Sequence, residues 1–216
     1  AYSVWGQLYQ PTPELLEDEI RRLMEQADTA AELGAAIMRH DVCWNLPEDA
    51  SFSAILPAIA DASRRIAAYA KTRGIVTCTE NHGMIVQGSE RMEQLYHAVK
   101  HDNYRLLIDI GNFTAVSEDH AGAVERLAPY AVHVHIKDHI IRDQPFEDCK
   151  PRPNGLFTRA IAAGEGSIPI KKCIEILLST GYDGALAIEY EAADDCMDGI
   201  ARGLSNLRRM LAEVRS

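Results

Sequence analysis

The stretch Gly74-Ile75-Val76-Thr77-Cys78-Thr79-Glu80-Asn81-His82-Gly83 sets a β-prone run, Ile75 to Glu80, between a helix-ending glycine and a polar turn. A strand that is apolar on both faces belongs in a parallel sheet covered by helices. Working outward toward the C-terminus, residues 89–101 read as a helix and Arg105 to Ile110 as a strand. Ser117 caps a helix to about Ala128, and Ala131 to Ile136 is the next strand. A polar excursion rich in Pro and charge covers roughly 138–166. A helix over 167–180, closed by Gly181, leads to a strand over 185–190 and a last helix over 195–214. Toward the N-terminus, a helix within 53–72 carries Pro57 in or near its first turn, and the strand before it covers Ala35 to Val42. Thr12 and Pro13 open an earlier helix as cap and first residue. Its residues Leu16, Ile20, Leu23, Ala27 and Ala30 make one apolar stripe. Residues 2–8 form the first strand.

This alternation fits either an open doubly wound sheet or a (β/α)8 barrel. The doubly wound fold calls for a glycine-rich turn after its first strand, and Gly6 followed by Gln7-Leu8-Tyr9-Gln10 is not one. The barrel is therefore expected, as one domain over residues 1–216. Six strands are two short of eight. They read as strands 3 to 8, with the first two βα units, on the order of 50–65 residues, absent from this sequence.

The chain of 216 residues has 47% apolar and 25% charged types and a net charge of -10. That balance argues against nucleic-acid backbone binding. No apolar run approaches the 18 or so residues of a membrane span. The five cysteines show no C-x-x-C spacing, which fits reduced thiols and a cytoplasmic location.

The strand ends carry the chemistry. One ends in Glu80-Asn81-His82-Gly83, the next in Asp109-Ile110-Gly111-Asn112, the next in His133-Val134-His135-Ile136-Lys137-Asp138, and the last in Glu189-Tyr190-Glu191. Twenty-nine residues separate Glu80 from Asp109 and 26 separate Asp109 from His135, each about one strand-helix unit. Equal spacing brings such residues to the carboxyl ends of neighbouring strands, where barrels hold their active sites. Three carboxylates and an imidazole at one place repel or titrate unless a cation joins them, and this oxygen-rich set suits Mn2+, Mg2+ or Co2+. His133 shares a strand face with His135 and is assigned to a deeper layer. Glu191 competes with Glu189, which is preferred as the residue still inside its strand.

These motifs, with Gly164-Glu165-Gly166 and Gly181-Tyr182-Asp183-Gly184, resemble those of the xylose isomerase-like TIM-barrel superfamily, in particular its sugar phosphate isomerase/epimerase group. The resemblance implies that Glu80, Asp109, His135 and Glu189 bind one divalent metal, commonly Mn2+. It implies a small sugar or sugar derivative as substrate, and isomerase or epimerase activity by proton abstraction next to a chelated carbonyl. The alternative is a lyase on the same scaffold, similar to inosose dehydratases or to the catalytic subunits of C-glycoside deglycosidases. The latter pair with a small β-rich subunit, so that subunit or a second copy of the chain is the partner expected. AP endonucleases share the barrel, but the net charge of -10 opposes that reading, and a barrel that only binds a ligand is the non-catalytic alternative.

Glu80 and Glu189 are candidate bases on two sides of a sugar, and His82 is a third. His40 and Asp41 end the preceding strand and are expected to face the same mouth. Trp44 is a candidate stacking wall. Asn112, Lys137 and Arg142 are candidate hydroxyl or phosphate contacts, with Lys137 equally a partner for Asp138.

Overall fold

Strand pairing starts at the first residues. In the computed structural model, which describes residues 1–48 and 50–215, β1 (Tyr2–Val4) pairs in parallel with β2 (Ile37–His40), and β2 with β3 (Val76–Glu80). β3 pairs in parallel with β4 (Tyr104–Asp109), Glu80 opposite Leu107. β5 (Ala131–Ile136) pairs in parallel with β9 (Leu186–Ile188), and the hydrogen-bonded order is β1-β2-β3-β4-β5-β9. The chain divides into two compact units, residues 1–107 and 108–216, and β4 runs across the division.

In the first unit, helices α1 (Pro13–Glu32), α2 (Phe52–Thr72) and α3 (Ser89–Val99) follow β1, β2 and β3. Thr12 caps α1 with its side chain on the Leu15 N–H, and Ile20, Leu23, Ala27 and Ala30 are its buried stripe, as expected. Ser51 caps α2. Pro57 lies in the second turn rather than the first, where its missing N–H leaves the carbonyl of exposed Ser53 without a helical partner. The first strand is shorter than expected. Past Val4 only Leu8, whose N–H donates to the Val42 carbonyl at 2.7 Å, keeps the pairing. α3 ends two residues early, because Lys100 takes a left-handed conformation (φ 49°).

In the second unit, the helix expected over 117–128 is α4 (His120–Leu127), preceded by a 3-10 turn over Asn112–Val116. Its cap is Asp119, whose carboxylate accepts the Gly122 N–H at 2.7 Å. Ser117 instead closes the 3-10 turn in a left-handed conformation (φ 55°), outside N-cap geometry. α5 (Ile170–Ser179) and α6 (Cys196–Arg215) follow. The excursion over 138–166 contains a three-stranded antiparallel sheet that the sequence reading did not assign, β6 (Asp138–Arg142), β8 (Phe157–Ile161) and β7 (Lys150–Pro151), in the order β6-β8-β7.

Asp138 ties this insertion together. Its carboxylate accepts backbone N–H bonds from Gly164 (2.9 Å), Gly166 (2.8 Å), Ile168 (3.2 Å) and its neighbour His139 (2.8 Å). The Lys137–Asp138 pair suggested by the sequence does not form, because Asp138 spends its acceptors on these backbone donors. Truncation strands the buried donors, so Asp138→Ala is expected to cost about 2–5 kcal/mol in urea unfolding, with Asp138→Asn intermediate.

His139 is buried in the same sheet. Burial, then the positive charges of Arg152 and Lys137 and the neighbouring His120, push its imidazole down to about 4. An unfolded imidazole titrates near 6.5, so neutral His139 favours the folded state fully above that pH. The advantage is lost as pH falls from about 6.5 toward 4, on the order of 3 kcal/mol. The urea midpoint of the wild type should drop over that window, and the drop should be shallower in His139→Gln.

Candidate active site

The site begins with strand alternation. Side chains two apart on a strand share a face, so Arg39 and Asp41 project together from β2 and its end. Glu80 meets them from β3. Arg39 is buried, its Nε donating to Glu80 Oε2 at 2.7 Å and its terminal nitrogens to both Asp41 oxygens at 2.8 and 3.0 Å. His82 completes the group. Its Nδ1 lies 2.7 Å from Arg39 Nη2 and 3.1 Å from Asp41 Oδ1. Burial works to raise the Asp41 carboxyl, and the His82 hydrogen bond with the Arg39 charge overcomes it and holds it below its ordinary range.

Trp44 packs its ring edge-on against His82 (centroids 4.7 Å apart) and is half-buried, so it touches a candidate base rather than standing as an isolated wall. The sequence reading passed over Arg39. A charged residue between Met38 and His40 in a strand was the signal, since a buried guanidinium needs partners.

His40 is corrected. It alternates with Arg39 and Asp41 and therefore leaves β2 on the opposite face. There it is fully buried, 6.5 Å from the Tyr104 ring, with Nδ1 on the Asp41 carbonyl at 3.0 Å. Burial first of all lowers its pKa, so it is a neutral core histidine.

The second unit holds the predicted ligands Asp109, His135 and Glu189 and one buried cation. Asp109 ends β4 with Oδ1 accepting the N–H groups of Gly111 (2.8 Å) and Asn112 (3.2 Å). His135 Nδ1 is 3.6 Å from Glu189 Oε2. Glu189 lies one residue past the end of β9, not inside it as expected. Its N–H still donates to the Ile136 carbonyl at 3.1 Å, which fixes it beside β5.

Lys137, buried, brings its ammonium to Glu189 (2.8 Å), Glu191 (3.1 Å), Asp109 (3.2 Å) and Asn112 Oδ1 (3.3 Å). Burial works to lower the Lys137 pKa, and the Asp109, Glu189 and Glu191 charges outweigh it and raise it. The His135 hydrogen bond, then Asp109 and Lys137, hold Glu189 well below the usual carboxylate range against the effect of burial. Gly111 is required here, because a Cβ would stand 2.8 Å from Lys137 Cβ.

Within the second unit, one ligand atom from each of Asp109, His135 and Glu189 lies within 4.8 Å of the others. Two carboxylates and one imidazole at that spacing fit a divalent cation that prefers oxygen and nitrogen. His133 is not in the cluster; its ring lies edge-on to His135 at 5.4 Å. Arg142 is exposed, with its guanidinium 4.8 Å over the Phe146 ring. Among the described residues no helix is long and apolar enough to cross a membrane.

The family model described as Xylose isomerase-like TIM barrel matches residues 3–210. An inosose dehydratase from Geobacillus thermodenitrificans is 26% identical over 138 residues, which is 61% of this chain and 45% of that enzyme. The chain thus spans under half the length of the inosose dehydratases it matches. A xylose isomerase-like TIM barrel protein from Mycobacterium smegmatis, crystallised in complex with magnesium, superposes with a TM-score of 0.75 at 17% identity. That match covers 100% of this chain and 74% of the other. The 3-keto-D-glucoside 4-epimerase of E. coli superposes with a TM-score of 0.72 at 17% identity, over 97% of this chain and 79% of the epimerase. With most of its length matched and its strands and helices alternating as the (β/α)8 fold requires, the chain belongs to the xylose isomerase-like TIM-barrel family.

Proposed function

We propose that this chain carries the metal centre of a divalent-metal-dependent enzyme acting on a small keto-sugar or keto-cyclitol. In this reading it removes a proton beside the carbonyl and then eliminates water. The observation that carries it is the convergence of Asp109, His135 and Glu189, and Glu80, at the end of β3, is the proposed fourth ligand. These four would hold Mn2+, Mg2+ or Co2+, which supplies Lewis-acid stabilisation of the negative charge left when the neighbouring C–H is deprotonated.

The chain's own groups do the rest. Arg39 engages Oε2 of Glu80 and fixes the orientation of its carboxylate. Lys137 neutralises part of the carboxylate charge and, with Asn112, offers polar contacts to substrate hydroxyls. His82 is the base. It lies outside the ligand set, is half-buried, and is oriented by Asp41 and Arg39.

Elimination is favoured by the repeated likeness to inosose dehydratases, at 24–28% identity. Isomerisation or epimerisation is the second reading. With Glu80 and Glu189 both proposed as ligands, one glutamate can take a proton and the other return it. Incubation with a keto-sugar or keto-cyclitol in D2O separates the two. Loss of water marks the lyase, and solvent deuterium in a recovered isomer marks the epimerase.

Equilibrium dialysis with Mn2+ should give one bound ion per chain. Glu189→Gln should weaken it by more than about 100-fold, beyond the 10–100-fold typical of outer partners. His82→Asn should leave Mn2+ affinity nearly intact and slow turnover by roughly 10²–10⁴. A rate change under about threefold would take His82 out of the chemistry and leave the proton to a glutamate.

A further inference from the structure

The antiparallel insertion carries a second chemical feature. A cavity of about 500 Å³ lies in the second unit, walled by the β6-β8-β7 sheet, the segment after β9 and Arg202 of α6. Register explains its lining. His139 pairs with Ala160, and Thr158 pairs with Ile141 and Lys150, so these side chains share one face of the sheet. Arg152 joins that face through its Nε, which donates to buried Thr158 Oγ1 at 2.7 Å. This bond fixes the guanidinium plane and leaves both terminal nitrogens without a partner among the described residues. The Lys150 ammonium, exposed, has none either. His139 lines the cavity at 3% exposure, and its Nδ1 is buried with no hydrogen-bond partner.

The carboxylates on the wall do not cancel this charge. Glu191 is held by Lys137, and Asp194 by Tyr190 and Arg202, which leaves Asp148 against both Lys150 and Arg152. Arg159 is occupied by the Glu147 carbonyl and the Phe146 ring. An oriented guanidinium fork with open donors, a second cation and an unpartnered imidazole, set around a cavity of small-molecule size, suit an anion.

We infer that this cavity is a binding site for an anionic group, a carboxylate or a phosphate, gripped by Arg152 and Lys150 over His139. The site stands whether or not the reaction proposed above is correct. Its burial-depressed imidazole fits the same role, because a bound anion favours protonation of His139.

The test follows the His139 ring resonances by long-range ¹H–¹⁵N NMR, assigned by their absence in His139→Gln. Inorganic phosphate and malonate are titrated separately into the metal-free protein. A saturable shift of His139 with phosphate, malonate or both is expected. A response to phosphate alone identifies a phosphoryl group, and to malonate alone a carboxylate. Arg152→Gln or Lys150→Gln should weaken the interaction at least about fivefold. Lys150 is exposed on a two-residue strand, so its substitution decides the matter even if Arg152→Gln fails to fold. No saturable shift with either anion, or unchanged affinity in every variant that folds, overturns the site. The readout needs neither metal nor turnover, so its failure is distinct from failure of the proposed reaction.

Discussion

Carboxylates do not collect in a buried place without positive charge among them. In the second unit the Lys137 ammonium answers that demand by reaching Asp109, Glu189, Glu191 and Asn112 at once. Much else follows from its position. Gly111 must lack a side chain so that β4 can end against the Lys137 stem. Asp109 turns its other oxygen to the backbone of Gly111 and Asn112. Glu189 is drawn beside His135 by a backbone bond that outlasts β9 itself.

The first unit solves the same problem with a different cation. Arg39 makes a two-pronged contact with both Asp41 oxygens and meets one Glu80 oxygen with Nε and Nη2, and a planar guanidinium is suited to such division. An ammonium at Lys137 gathers oxygens from several directions, whereas a guanidinium at Arg39 fixes the plane of each partner. His82 inherits its orientation from that plane. The candidate base is therefore positioned by a residue that does not itself need to touch substrate.

The insertion between β5 and α5 shows how a loop acquires function of its own. Asp138 gathers four backbone N–H groups and fastens the chain where the antiparallel strands begin and end. The strands then carry alternating side chains in register, as any sheet does. One face happens to assemble His139, Thr158, Lys150 and Arg152 around a cavity. Barrel enzymes vary their specificity through such strand-to-helix connections while the strands keep the shared chemistry.

The βα alternation, the helix starts at Thr12 and Ser89 and the strand over Ala131–Ile136 are legible in the sequence. All of these rest on local signals. Apolar periodicity, capping side chains and the regular spacing of strand-helix units are written along the chain. Tertiary structure decided what depends on partners distant in sequence. It set the Arg39 and Asp41 face of β2, not the His40 face, against Glu80, and gave Lys137 to Glu189 and Glu191 rather than to adjacent Asp138. It also converted a polar excursion into a three-stranded sheet, whose short strands find their register only against each other. Arg39 lies between the two cases. Its burial within a strand announced that it needed a carboxylate, but only the pairing of β2 with β3 chose Glu80, because strand register sets which side chains meet.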